Sequence, residues 1–565
     1  MRLALGDHES AVRSVIDALT SARAAARIFA RDATFWGGDD ARQRSVANRL
    51  GWLDVASMMR ARIDDLRQFA DSARSDGLAD AVLLGMGGSS LAPEVLRHTF
   101  GTRQGWPRLH VVDTTDPATI DAVVRAIDPA RTLAFVSSKS GTTLEPNCLF
   151  AFFHDLVRGA KGDLAGDGFV AVTDPGTQLE QLAHEFRFRQ VFANPPDIGG
   201  RYSALSYFGL APAAVAGIDV AQLLDRGIAA ADAARSGGEA LELGAALGTL
   251  ALAGRNKVTF VVAPPVDAFG LWVEQLIAES TGKLGRGILP VAGEPLGSPE
   301  RYGGDRVFVQ LRLAGSTPAE HDAFLEAVMA AGHPAIVIGL ADLFDLGREF
   351  FRWEFAIAVA GQVLGINPFD EPNVQESKDN TNRVLQEFEV SGTLDISGID
   401  GGAPVVFDAP GHVARGPLED ALASLWTKLR PGDYFAITAY VSSTASTAAA
   451  FDGMRSVVRD ASGAATTLGY GPRFLHSTGQ LHKGGPPQGV FLQVTMADEP
   501  DLPIPGHPYT FGQLKRAQAI GDFESLAKHG RPALRVHLGR DADAGLAALA
   551  QAVRTSLPRR AEERR

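Results

Sequence analysis

The 565-residue sequence holds a single cysteine, Cys148. One thiol excludes any disulfide within the chain and any thiolate metal cluster, which leaves a small buried hydrophobe as its expected role. Apolar runs of about 18 or more residues are missing, so no membrane span is expected. The first ten residues, MRLALGDHES, lack an apolar core followed by a small-residue cleavage site, so no signal peptide is expected and the location should be cytoplasmic. Basic excess is missing too. A net charge of −12 argues against nucleic acid as a partner, though a small phosphorylated ligand needs only a local nest of donors. Histidines and carboxylates fall into no HxH or HxxxH spacing, so no metal is expected.

What is present is ordinary for a globular protein, with 45% hydrophobic and 21% charged residues. The length corresponds to roughly three or four units. Residues 1–75 read as a helical segment, with apolar positions at helical spacing from residue 8 onward. From Asp80 short β-branched runs (DAVLLGM, LHVVDTT, TLAFVSS, GFVAVTD, RQVFAN) alternate with amphipathic stretches, which predicts a parallel sheet covered on both faces over residues 76–217. A second such unit is expected over 218–387, with strands KVTFVVAP, DRVFVQLRL and PAIVIGL. Residues 388–430, rich in Gly, Asp and Pro, read as a connecting excursion, and 431–565 as a further α/β segment ending in the charged tail RRAEERR. The fold class expected is α/β, with two doubly wound, mainly parallel sheets, flanking helices and a C-terminal α/β segment.

Two loops suit a phosphate. In LLGMGGSSLAP a strand runs into Gly87, Gly88 and Ser89 at the start of a helix, where glycines permit close backbone approach and free N–H groups attract an anion. A serine-capped βα turn would look similar. In FVSSKSGTTLEPN a strand delivers Ser138, Lys139, Ser140 and Thr143 to a helix N-terminus, more donors than a simple N-cap requires. The GxxxxGK[ST] spacing of a nucleotide loop is absent. This S-x-S-G-x-T loop resembles that of sugar isomerase (SIS) domains, and its pairing with GMGGSSLAP is similar to the phosphoglucose isomerase family.

Three further segments strengthen that resemblance. Gly199–Ser203 reads GGRYS, where Gly200 and Arg201 suit close approach to a ligand; the family likeness implies that Arg201 stabilises negative charge on an enediol. LWVEQLIAESTGK places Gln275 one helical turn before Glu279, similar to the family's W-x-x-Q-x-x-x-E-S-x-G-K, and implies that Glu279 is the proton-shuttling base. A carboxylate near a helix C-terminus is disfavoured by the dipole, which makes Glu279 an odd structural choice. GINPFDEPNVQESKDN resembles an element whose lysine falls on Lys378, while the family's glutamine falls on Glu371, a departure. The ring-opening histidine implied by the family is missing from its usual window between base and lysine. FLHSTGQ, far downstream, resembles the family's L-H-S-x-G-Q element and nominates His476. The overall likeness is to the isomerase portion of bacterial transaldolase/glucose-6-phosphate isomerase fusions, through NRLGWLD at Asn48–Asp54 as well.

The resemblance implies two SIS-type sheets and reversible conversion of glucose 6-phosphate to fructose 6-phosphate without cofactor. Its substrate would be a phosphorylated hexose, and a homodimer is possible. Two other readings stay open: an isomerase that also takes mannose 6-phosphate, and a non-catalytic SIS-type phosphosugar sensor. A sensor needs the phosphate loop but no base.

Overall fold

The structure, a computed structural model, describes residues 1–392, 394 and 404–558. Most of the SGIDGGAP stretch and the tail RRAEERR lie outside the described residues. Among the described residues sixteen strands form three sheets. Strand β1 (Arg2–Ala4) opens the chain, and five helices between Glu9 and Ser75 follow. The first sheet holds β2 (Asp80–Gly85), β3 (Arg108–Val112), β4 (Thr132–Ser137), β5 (Phe169–Thr173) and β6 (Gln190–Ala193), all parallel, in the order β3-β2-β4-β5-β6. Strands β2, β4 and β5 are buried along their whole length, which is why they read as continuous apolar runs rather than as alternating ones.

The second sheet holds β7 (Lys257–Val262), β8 (Leu289–Val291), β9 (Arg306–Leu313) and β10 (Ala335–Leu340), ordered β1-β10-β9-β7-β8. The N-terminal strand β1 lies antiparallel on β10, so the helical segment is tied to this sheet from its first residues. The third sheet holds β11 (Val405–Ala409), β12 (His412–Val413), β13 (Tyr434–Tyr440), β14 (Ala465–Tyr470), β15 (Gly489–Thr495) and β16 (Ala533–His537), ordered β12-β11-β16-β15-β13-β14.

Strand order shows one winding used three times: β3-β2-β4-β5, β8-β7-β9-β10 and β14-β13-β15-β16. In each, the chain goes from the first strand to one side and then crosses to the other. The carboxyl ends beside that reversal are where open α/β sheets hold ligands. The C-terminal segment is therefore a full third sheet. The expected excursion at 388–430 is corrected accordingly: β11 pairs antiparallel with β16, and the helix Leu418–Trp426 buries Leu422, Leu425 and Trp426 in the third core. Pro410, Gly411, Gly416 and Pro417 lie in the short connections between these elements.

Cys148 is buried in the helix Leu144–Lys161, and burial pushes its thiol up to about 12. Among the described residues no helix is long and apolar enough to cross a membrane.

Candidate active site

Segments following strands of all three sheets meet around Gln275. The turn after β2 puts Gly87 at φ +54°, a left-handed conformation that favours glycine. A Cβ there would also press on the His476 carbonyl at 2.7 Å and on Gln275 Nε2 at 2.9 Å. At Gly88 a Cβ would stand 2.1 Å from the Gly200 carbonyl, so the GMGGSS and GGRYS loops fit together only with glycine at position 88. Ser203 Oγ joins them, donating to Gly88 O at 3.2 Å and Gly200 O at 2.6 Å. Gly200 itself has nothing within 4 Å of where a Cβ would stand, which leaves open space on its ligand side. The Ser89 carbonyl accepts from Ser137 Oγ at 3.3 Å, joining this loop to the end of β4.

The NRLGWLD segment braces the arginine loop from behind. Gly51 N–H donates to Asp197 O at 2.9 Å, and the buried Trp52 ring lies 5.3 Å from that of Tyr202. Arg201 is thereby held almost fully buried. Its Nε donates to Ser280 Oγ at 2.8 Å, and its Nη2 donates to Pro368 O at 2.8 Å and Asp370 O at 3.0 Å. Its Nη1 stands 2.9 Å from Glu371 and 3.6 Å from Glu279. Burial works against its charge, but the two carboxylates hold its pKa above the ordinary arginine range.

Glu279 lies in the last turn of the helix Phe269–Thr281, as its spacing predicted, and is 8% exposed. Burial raises its pKa; Arg201 opposes that shift, Glu371 adds to it, and Lys283 and His476 oppose it. Gln275 Nε2 donates to Glu279 Oε2 at 3.1 Å and to the His476 carbonyl at 2.8 Å, so one amide joins base and histidine. His476 thus reaches the site within its own chain, on the loop after β14. Gln480 of the same FLHSTGQ run clamps that loop, donating to Gly282 O and Asn373 Oδ1, both at 2.8 Å.

The phosphate loop differs in detail from its expectation. Ser138 is buried, donates to Thr143 Oγ1 at 3.1 Å and accepts from Gly141 N–H at 3.2 Å, so it orders the loop. Ser140 and Thr142 are exposed, and Thr143 makes no side-chain cap, which leaves the first-turn N–H groups of Leu144–Lys161 to an anion. The Lys139 ammonium does not join them. It pairs with Asp174 and donates to Pro196 O at 2.9 Å, because the end of β5 offers a carboxylate closer than the loop's own mouth. Lys139→Ala should therefore change KM for a sugar phosphate by less than about threefold. Thr143→Val, by contrast, should raise KM by on the order of tenfold or more, as loss of a hydrogen bond to a charged group does. Steady-state kinetics of the two variants checks this.

Between this loop and Lys378 opens a cleft of about 160 Å³, lined by Thr142, Glu145, Lys378, Asn382, His476 and Gln518 among others. Lys378 stands on the helix Val374–Ser391. Glu145, Gln518, Ser280 and Lys283 were not singled out in the sequence. Glu145 lies inside the quoted phosphate-loop motif, and His476 Nε2 stands 3.0 Å from its Oε1. Burial disfavours its charge, yet His476 and then Lys378 favour it, and its pKa is held below the ordinary carboxylate value. Lys283 bonds Asp370 at 2.7 Å, while burial pulls its pKa down to about 8.

Residues 47–263 match the family described as phosphoglucose isomerase. A Rubrobacter xylanophilus protein named glucose-6-phosphate isomerase is 33% identical over 380 residues, covering 56% of this chain and 85% of that protein. The chain belongs to the phosphoglucose isomerase family. A Mycoplasmopsis pulmonis relative with the same name is 27% identical over 387 residues, covering 60% of this chain and 90% of its own. The crystal structure of a hypothetical protein from Thermus thermophilus aligns with a TM-score of 0.58 at 24% identity, over 69% of this chain and all 100% of that one, which shows a shared fold. The family match takes in both glycine-rich loops, the SSKSGTT loop and Arg201, and ends before Glu279. Membership makes this chain a sugar-phosphate isomerase in broad class, of the SIS-type architecture.

Proposed function

We propose that the chain interconverts glucose 6-phosphate and fructose 6-phosphate through a cis-enediol, as a cytoplasmic step of glycolysis and gluconeogenesis. The observation that carries this reading is the continuous array Arg201–Glu279–Gln275–His476–Glu145, which joins a buried carboxyl base, a fixed cation and a histidine–carboxylate pair in one chain of contacts.

The phosphate sits at Ser140, Thr142 and Thr143 against the helix N-terminus, which anchors the sugar with C1 and C2 toward Glu279. In ring opening a proton leaves the O1 hydroxyl, the C1–O5 bond breaks, and O5 receives a proton; His476, held by Glu145, and Lys378 are the groups placed to manage it. Glu279 then takes the C2 proton. The electron pair forms C1=C2, O1 takes up a proton, and Arg201 balances the negative charge that develops on the enediol oxygens. O2 next gives up its proton as its carbonyl forms, and Glu279 returns its proton to C1. Proton gains and losses balance over the cycle, one carboxyl serves both carbons, and the proton can exchange with solvent while Glu279 holds it.

Fructose 6-phosphate turnover coupled to a glucose-6-phosphate dehydrogenase, with EDTA present, tests the reading. Robust turnover is expected. Phosphosugar binding without turnover would favour a sensor, and equal turnover of mannose 6-phosphate would favour a broader isomerase.

Glu371 gives a second check. It stands closer to Arg201 than the base does, and its side chain is 37% exposed. Glu371→Gln removes a like charge that raises the Glu279 pKa and leaves Arg201 to Glu279 alone. The base works deprotonated, so a lower pKa keeps it active to lower pH. The acid limb of kcat/KM should move down by about one pH unit. A limb that stays or moves up would refute this coupling.

A further inference from the structure

Glu145 carries its charge fully buried, and one oxygen does most of its bonding. Oε1 accepts from Gln518 Nε2 at 2.7 Å and meets His476 Nε2 at 3.0 Å. Gln518 is 2% exposed and comes from the helix Phe511–Lys528, which follows β15 of the third sheet. A side-chain amide can turn either end toward a neighbour, and the wrong end would set its oxygen against the carboxylate. The ionised carboxylate, which can only accept, makes that choice, and Thr115, buried after β3 of the first sheet, anchors the other end: its hydroxyl donates to Gln518 Oε1 at 2.8 Å. Held at both ends, the amide keeps its NH₂ group toward Glu145. The chain Thr115–Gln518–Glu145–His476 therefore runs from the first sheet through the third and back to the cleft, and Gln518 itself lines the cleft.

We infer that Gln518, oriented by Thr115, is a positioning residue for ring opening: it holds the Glu145 carboxylate in the one rotamer and charge state that orients His476. The inference rests on the isomerase reading above. Gln518 donates to the oxygen that His476 also uses, so it fixes where that oxygen sits and keeps it an acceptor. The charged and titratable groups facing Glu145 are His476 and Lys378 across the cleft, Cys148 on its own helix and Tyr440 at the end of β13. Of these groups and Gln518, His476 and Gln518 stand within hydrogen-bond distance of the carboxylate, and Gln518 is the neutral one of the two that a second buried residue anchors. The third sheet thus supplies both the histidine, from the loop after β14, and the residue that sets its partner, from the helix after β15.

Two variants test it. Gln518→Leu should lower kcat for glucose 6-phosphate at least tenfold and slow enzyme-catalysed exchange between its anomers, which reports ring opening alone. Binding of an open-chain five-carbon aldonic acid phosphate, which has no ring to open, should stay within twofold. Gln518→Glu sets a second carboxyl beside Glu145, and one of the two must hold a proton. Its activity should recover toward acid, with the kcat optimum displaced by about one pH unit. A kcat within twofold of wild type in Gln518→Leu would overturn the inference. So would a loss matched by an equal loss of aldonate binding, or an unshifted pH optimum in Gln518→Glu, since these mark a structural role only. A wild-type enzyme without isomerase turnover would instead remove the underlying reading, a result visible before either variant is made.

Discussion

Glu279→Gln is expected to lower fructose 6-phosphate turnover by a factor of about a hundred to ten thousand, the range that a positioned general base contributes. The amide keeps an oxygen for Gln275 Nε2 and nearly the same shape, so sugar-phosphate affinity should change little. What it loses is the lone pair that takes a proton from C2. The same carboxyl explains the expected pH profile. Burial raises its pKa above the ordinary glutamate value, with Arg201 only partly offsetting this. Activity should therefore fail on the acid side at a pH above that of a free carboxyl. A variant with wild-type turnover would remove Glu279 from the mechanism.

Arg201→Met should lose both activity and stability. Arg201 satisfies Ser280, two backbone carbonyls and Glu371, and it stands near Glu279, all at a buried position. Taking the cation away strands a buried carboxylate, for which breaking a buried pair costs roughly 3–5 kcal/mol. Turnover should fall by about a hundredfold to a thousandfold, as removal of a preorganised charge stabiliser does. Arg201→Lys should recover only part of either, because one ammonium cannot reach Ser280, Pro368, Asp370 and Glu371 at once. Thermal unfolding and kcat measured on the same preparations check this. Stability equal to wild type in Arg201→Met would contradict the pairing described.

The first sheet was readable because its central strands are buried on both faces, and DAVLLGM, TLAFVSS and GFVAVTD can hardly be anything else. The third was only partly readable. Its strand β14 is ATTLGY, where threonines and a glycine hide the apolar run, and in the second sheet β8 is only LPV. Strand β1 lies within the first four residues, too short to carry a pattern, and owes its existence to pairing with β10. The Gly- and Pro-rich approach to β11 concealed strands that form by lying on β16. All of these are set by tertiary partners rather than local propensity.

Of the residues proposed for the site, Arg201, Gln275, Glu279 and His476 stood out in the sequence through the motifs that carry them. Their convergence was not, since it depends on how the third sheet docks. Glu145 was hidden in plain view: an acid in the first turn of a helix reads as complementing the dipole. Lys139 misled for the opposite reason. A lysine among hydroxyls suggests an anion site, but Asp174 on the neighbouring strand's loop claims it. Gln518 had no local signal at all, being one polar residue on a largely buried helix.

The measurement that bears most directly on the base is solvent deuterium entry at C2 of glucose 6-phosphate, followed by proton NMR in D₂O with wild type and Glu279→Gln. Deuterium should appear at C2 with wild type as isomerisation proceeds and should be absent, or slowed at least a hundredfold, with the variant. Exchange by Glu279→Gln at the wild-type rate would contradict a proton shuttled by Glu279.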